Sequence, residues 1–309
     1  MSVLISICIP AYKNAAFLSR LLDSIAHQTF KDFEVIISDD SPDNELETII
    51  EFYKRYFPIV YHKNTVALGS PANWNNAIQL AKGKWIKLMH NDDWFAHTRS
   101  LEIFAAYTMQ SNVKDFIFSA HHLYENDKMK SIEKVSFIIE NQLRKNPLIL
   151  FRKNYIGHPS TILIKNNRDI WYDENIKWVV DFEFYIRALK KTDFIYINQP
   201  LINIGLGEHQ ITQHVFRNRD VEIPENIYLL NKLGKSILNN IVVYDYYWRL
   251  LRNLQIRNWN EFADKVQDEI PDEIKSMFNI QKKYALKMLN KGIVSKLLMF
   301  STYLKGKIK

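Results

Sequence analysis

VLISICIP, residues Val3–Pro10, is a nearly unbroken β-branched and apolar run closed by a proline. A strand buried on both faces of a parallel sheet has this composition, whereas a strand with one wet face alternates apolar and polar residues. Reading outward, Asn14 precedes Phe17, Leu18, Leu21, Leu22 and Ile25 at helical spacing, which predicts an N-capped amphipathic helix. FEVIIS (Phe33–Ser38) predicts a second buried strand, running into Asp39 and Asp40. A helix over Glu45–Tyr56, a short strand over Ile59–His62, a helix over Ala72–Ala81 ending at a C-cap Gly83, and a strand over Trp85–Met89 follow. That last strand opens into His90-Asn91-Asp92-Asp93. Repeated strand–helix alternation means a parallel sheet with crossover helices, the α/β class. Beyond it, Asp115–His121 and Ser160–Ile164 read as strands, Asp181–Leu189 as a helix and Phe194–Ile197 as a short strand before Pro200. From about Asn218 the pattern is helical, which puts a boundary near residue 220: residues 1–220 form the α/β domain and 221–309 a helical, basic C-terminal region.

The bulk composition fits this layout. The chain has 309 residues, 47% hydrophobic and 24% charged, enough for one sizeable core plus an appendage. Cys8 is the only cysteine and sits in the first apolar run, so the expected role is a buried thiol, with neither an internal disulfide nor a cysteine metal cluster. Met1–Pro10 lacks the basic start and long apolar core of a signal peptide, and no apolar run is long enough to span a bilayer. The expected location is the cytoplasm, with the inner face of the membrane as an alternative set by the tail. The net charge is +7, but residues 1–230 carry 26 Lys+Arg against 27 Asp+Glu, and residues 231–309 carry 15 against 7. An even body with a basic tail argues against nucleic acid as a partner and for a tail that meets something anionic.

In parallel α/β sheets ligands bind beyond the carboxyl ends of the strands. Pro10–Asn14, Asp39–Asp40 and Asn91–Asp93 all fall at such ends, so three polar clusters are expected on one rim. Asp92 and Asp93 are adjacent carboxylates, which repel unless a cation lies beside them; Mg²⁺ or Mn²⁺, with oxygen ligands and open positions for phosphates, would serve. A solvated turn or a helix-capping pair is the other reading. Asp39 and Asp40 either shape a turn or accept hydrogen bonds from a nucleoside. Asp181 in WVVDFE is either a first-turn charge that suits the helix dipole or a general base, and Glu183 should point away from it. His209 lies in GLGEHQIT, where two glycines predict a flexible loop; it either meets phosphate oxygens or is solvated. Neither a P-loop nor a dinucleotide glycine pattern, nucleophile elbow or HExxH pattern occurs in the sequence.

The order of these motifs resembles glycosyltransferase family 2: Pro10-Ala11-Tyr12, then Gln28-Thr29-Phe30, the Phe33–Asp40 strand, Asn73–Gly83 and Asn91-Asp92-Asp93. The resemblance covers about residues 3–215. It implies a GT-A, Rossmann-like, mostly parallel sheet flanked by helices, and an enzyme that transfers a sugar with inversion from a nucleotide-diphosphate sugar, by family habit a UDP-sugar. It implies a site in which Pro10, Ala11, Tyr12, Asn14, Asp39, Asp40, Asn75, Asp92 and His209 meet the donor. Asp93, with Asp92, would bind Mn²⁺ or Mg²⁺, and Asp181 would be the catalytic base. The sequence departs from the family pattern at Lys13, Ser41-Pro42, Asn91 and Val180. The last two departures keep open a catalytically inactive nucleotide-sugar-binding scaffold. A metal-dependent nucleotidyltransferase would also use paired aspartates, but needs a Gly- and basic-rich triphosphate loop.

Residues 281–309 hold eight lysines and no acid. Leu286, Leu289, Ile293, Leu297 and Leu304 fit one helical stripe, with Lys283, Lys287 and Lys291 on another face and Gly292 as a bend. A basic amphipathic helix can lie on an anionic membrane surface, which would suit a lipid-linked acceptor; the acceptor implied is a saccharide or a lipid-linked molecule in surface-polysaccharide assembly. The alternative is a helix packed on the enzyme with a solvated lysine face.

Overall fold

Nine strands form one sheet in the order β3-β2-β1-β4-β8-β6-β9-β5, with β7 paired on β6. The structure is a computed structural model that describes residues 3–167, 171–207 and 216–307. The first four strands are β1 (Ile5–Ala11), β2 (Phe33–Asp39), β3 (Ile59–Lys63) and β4 (Trp85–Leu88), and every pairing among them is parallel. Each residue of β1 and β2 is buried, as their unalternating composition requires. Helices α1 (Ala15–Ala26), α2 (Glu45–Tyr53) and α3 (Ala72–Gln79) are the crossovers. Leu18, Leu21, Leu22 and Ile25 of α1 are wholly buried against the Ile5, Ile7 and Ile9 face of the sheet. Burying each such side chain is worth about 1.5–3 kcal/mol. Cys8 is buried and free, and burial pushes its thiol pKa up.

Several local expectations change. Asn14 holds the N-cap position of α1 but in the left-handed region (φ 56°), and its side chain makes no capping bond. Gly83 is not the cap of α3, which ends at Leu80. Its amide instead donates to Ser6 Oγ at 2.8 Å, and a Cβ there would stand 2.6 Å from the Ser6 nitrogen. Close approach of two backbones, not helix termination, requires this glycine.

The second half of the sheet is mixed. Strand β8 (Ile162–Lys165) runs antiparallel between β4 and β6 (Phe116–Glu125). β7 (Lys128–Glu133) follows β6 through Asn126 and Asp127, both at positive φ, the conformation of a two-residue hairpin turn. β9 runs from Phe194 to Leu206, straight through Pro200, instead of stopping before it. Pro200 lies where the register with β6 shifts, and such an irregularity tolerates a residue with no N–H to donate. β9 pairs parallel with β6 and antiparallel with β5 (Trp94–Phe95). Helices α4 (Ser100–Thr108), α5 (Phe137–Lys145) and α6 (Val180–Leu189) complete this part.

The chain divides into two compact units, one of residues 1–147 and 155–208, the other of 148–154 and 209–309. In the second, α7 (Arg219–Leu233), α8 (Ile241–Asn253), α9 (Trp259–Ala263), α10 (Asp272–Gln281), α11 (Leu286–Leu289) and α12 (Gly292–Lys307) are helical. Asn218 and Asn240 cap α7 and α8 through their side chains. The buried Trp248 and Tyr247 of α8 anchor this unit, with Phe151 packed edge-on against Tyr246 at 5.0 Å. The tail stripe read as continuous is divided: the helix breaks between Leu289 and Gly292, so Leu289 is buried while Ile293, Leu297 and Leu304 are exposed. No helix among the described residues is long and apolar enough to cross a membrane.

Candidate active site

The carboxyl ends of β1, β2 and β4 are joined by side-chain bonds. Asn91 Nδ2 donates to the Lys13 carbonyl at 3.3 Å, and the Lys13 amide donates to Ser41 Oγ at 2.7 Å. Ala11 accepts from the Asp40 amide at 2.9 Å, and the Asn73 amide group reaches the carbonyls of Ser38 and Ala11. The three polar clusters therefore lie on one rim. Asn91 acts there as a tie between strand ends, so an amide at this position has work that a carboxylate could not do as a donor.

On this rim Tyr12 is half exposed, whereas Pro10 and Ala11 are buried in the last turns of β1. Asp39 is fully buried: its Oδ1 takes the Ser41 amide, and its Oδ2 takes the Tyr61 hydroxyl at 2.9 Å and the Lys63 ammonium at 3.0 Å. Asp40 receives Asn64 Nδ2 at 2.7 Å and the amides of Leu68 and Gly69 at 3.0 and 2.8 Å. Asp40 thus holds the segment between β3 and α3, and Asp39 ties β3 to the turn after β2.

Helix α3 is the hub of the site. Asn75 is buried, and its amide pairs with both the N–H and the carbonyl of Tyr172, at 3.0 and 2.9 Å, and with Glu174 Oε1. Between Asn73 and Asn75, the Trp74 ring lies 4.7 Å from His90 and meets Tyr172 edge-on at 5.1 Å. Tyr172 stacks on Phe184 of α6 at 4.2 Å, and the charge of Asp181 on the same helix acts on its hydroxyl. A continuous run of packed rings thus leads from His90 in the acidic turn to Phe184 of α6, the helix that carries Asp181. The Tyr172 hydroxyl and Asp181 Oδ1 are both buried without a hydrogen-bond partner. Glu183, two positions on, is buried and paired with Arg187 at 2.7 Å.

His90, Asp92 and Asp93 bring one ligand atom each to within 4.8 Å of one another. Asp93 Oδ1 accepts from the Gly205 amide at 3.1 Å, while Oδ2 is buried and makes no hydrogen bond. Burial, then the neighbouring charge of Asp92, raises the Asp93 carboxyl well above the usual range; the Ser160 hydroxyl, the Gly205 amide and Lys87 oppose the rise. Lys87 is itself wholly buried on β4, bonded to the Ser160 carbonyl, and desolvation lowers its ammonium to about 7. Desolvation also lowers His90 to about 4, so its imidazole is neutral with a lone pair available, and its Nε2 has no partner. Two carboxylates in a dry setting, one with an orphaned oxygen, beside a neutral imidazole make a donor set that fits a divalent cation. Gly205, read as part of a flexible loop, belongs to β9, and a Cβ there would stand 2.6 Å from the Asp92 carbonyl. His209 lies outside the described residues. His90, Trp74, Tyr172 and Lys87 were not singled out from the sequence; His90 alone carried a signal, as the residue that opens the acidic turn.

A mixed sheet whose first four strands are parallel, with polar clusters on one rim and an acidic turn after the fourth strand, has the GT-A fold. Residues 6–164 match the family described as Glycosyl transferase family 2, and the chain belongs to that family. It is similar to an uncharacterized glycosyltransferase, MJ1057, of Methanocaldococcus jannaschii, with 29% identity over 60% of this chain and 64% of the relative. The chain thus spans under two thirds of that relative's length. A putative colanic acid biosynthesis glycosyl transferase of Escherichia coli, WcaA, is 23% identical over 85% of this chain and 98% of its own. Among solved structures, S. aureus TarS 1–349 in complex with UDP-GlcNAc has the same fold, with a TM-score of 0.65 at 16% identity over 98% of this chain and 92% of that 1–349 chain.

Proposed function

We propose that this chain moves a sugar, with inversion, from a UDP-sugar onto a hydroxyl of a saccharide or lipid-linked acceptor in surface-polysaccharide assembly. The observation that carries the reading is the run of packed rings His90–Trp74–Tyr172–Phe184, which links the cation-suited turn to helix α6, where Asp181 Oδ1 is buried without a partner. The UDP-GlcNAc held by TarS and the pathway named for WcaA support the donor and the product class.

In this mechanism Asp93, with Asp92 and His90, would hold Mn²⁺ or Mg²⁺. A bound divalent cation supplies charge neutralisation for the departing diphosphate. Asp181 takes the proton of the acceptor hydroxyl as that oxygen attacks the anomeric carbon from the face opposite the diphosphate. The C–O bond to the acceptor forms as the bond to the phosphate oxygen breaks, and one displacement inverts the centre. Burial raises Asp181 to about 7, close to the pH at which a base works best. The rim of Tyr12, Asp39 and Asp40 lies beside the nucleoside, and Asn75 acts by fixing Tyr172. Incubation with UDP-sugars and Mn²⁺ should release UDP, faster with acceptor. Release of pyrophosphate from a nucleoside triphosphate would mark a nucleotidyltransferase instead, and binding without any release would mark a scaffold.

A further inference from the structure

Helix α12 (Gly292–Lys307) exposes four of its large apolar side chains. Its buried side is Ser295, Met299 and Thr302. Ser295 Oγ accepts from the Trp248 indole at 3.0 Å and from Arg252 at 3.3 Å, and Tyr303 meets Tyr244 edge-on at 5.1 Å. The exposed side is Ile293, Leu297, Phe300 and Leu304, at 78, 66, 46 and 43% exposure. Spaced i, i+4, i+7 and i+11, these four form a single stripe on the face opposite Ser295 and Thr302. A helix that turns Ser295 and Thr302 inward beside Met299 and leaves four large apolar side chains on its surface offers that stripe to another apolar phase.

The charges around the stripe say which phase. Lys296 and Lys305 flank it and are exposed, and Lys287 and Lys291, also exposed, precede it. No acid occurs from residue 281 to the end of the chain. At the N-terminal end of the helix, Arg217, Arg252, Asn253, Gln255, Asn290 and Gly292 line an open polar pocket that contains no carboxylate. Apolar stripe, lysine borders and a two-arginine pocket at one end together complement acyl chains, an anionic surface and a lipid phosphate. A face that paired with a second copy of the chain would bring its lysines against the same lysines, which like-charge repulsion opposes.

We infer that α12 docks this protein flat on an anionic lipid bilayer, with Ile293, Leu297, Phe300 and Leu304 in the interface and a lipid phosphate in the Arg217–Arg252 pocket. This surface is independent of the sugar-transfer reading, since none of its residues belongs to the active site.

The test is flotation of the full chain with vesicles of phosphatidylcholine alone and of phosphatidylcholine with phosphatidylglycerol. Wild type should float with the anionic vesicles only, and release as salt rises. The double variant Leu297→Glu/Phe300→Glu, at exposed sites, should lose at least about tenfold in vesicle affinity while keeping its circular dichroism. Lys296→Glu/Lys305→Glu should lose as much, and it keeps the test open if the first variant folds poorly. Arg217→Ala should lower affinity several-fold. Wild type that stays unbound, or variants that float as wild type does, would overturn the inference. So would a dimer by sedimentation that Leu297→Glu/Phe300→Glu dissolves without any vesicle binding.

Discussion

Burial lifts the Asp181 carboxyl from 3.8 to about 7, so the folded protein holds that proton more tightly than the unfolded chain. The consequence for stability has a definite sign. Below about 4 the group is protonated in both states and contributes nothing; between about 4 and 7 the folded state binds the extra proton, so stability falls as pH rises, and above 7 the full cost persists. Asp181→Asn should therefore melt higher than wild type at pH 8, by the equivalent of about 1–3 kcal/mol, and no differently near pH 4. The same variant should lose transfer about 10²–10⁴-fold if Asp181 is the base, while wild-type kcat rises with pH through about 7. A variant that gains stability and keeps turnover would remove Asp181 from the mechanism. Asp93→Ala is the complementary case. Calorimetric titration with UDP-sugar should show Mn²⁺-enhanced binding in wild type and none in the variant, because the orphaned Oδ2 is gone.

At the scale of elements, the site is assembled by contacts between segments distant in the chain. Strand β9 reaches the acidic turn only because Gly205 lets its backbone come against the Asp92 carbonyl, and its amide then holds Asp93 Oδ1. A methyl group at 2.6 Å from that carbonyl must displace backbone, not a flexible side-chain end. Gly205→Ala should accordingly cost a few kcal/mol by thermal denaturation, about 1–3 on the overpacking scale, and weaken Mn²⁺-dependent donor binding with it. Loss of stability with unchanged Mn²⁺ dependence would mean that β9 supports the sheet but does not position the turn. Helix α3 has a similar office: Asn73 spans the ends of β1 and β2, Trp74 sets His90 beside Tyr172, and Asn75 clamps the Tyr172 backbone.

For the molecule as a whole, the charge distribution and the fold divide the labour. The α/β unit carries the rim and the acidic turn, and the helical unit carries the lysines and the exposed apolar stripe. Donor binding to the native state alone should stabilise it in proportion to occupancy, by about 2.7 kcal/mol at a hundredfold excess over Kd. A thermal-shift screen of nucleotide sugars should therefore give its largest shifts with UDP-sugars, and only with Mn²⁺ or Mg²⁺ present. Equal shifts with and without the cation would separate donor binding from the His90-Asp92-Asp93 turn.

Periodicity and composition alone determined the alternation of strands and helices in the first ninety residues, the single buried thiol, the acidic turn after β4 and the basic tail. Those signals are local, because burial on both faces makes β1 and β2 mostly apolar without strict alternation, and an amphipathic crossover leaves its stripe in α1. Tertiary structure decided the rest. Pro200 inside β9, Gly83 against Ser6, Lys87 beneath Asp93 and Tyr172 clamped by Asn75 all depend on partners far away in sequence, which no window of neighbouring residues contains. The tail shows the same limit: its apolar residues were legible, but which of them face the protein was fixed by the break before Gly292 and by the pairing of Ser295 with Trp248.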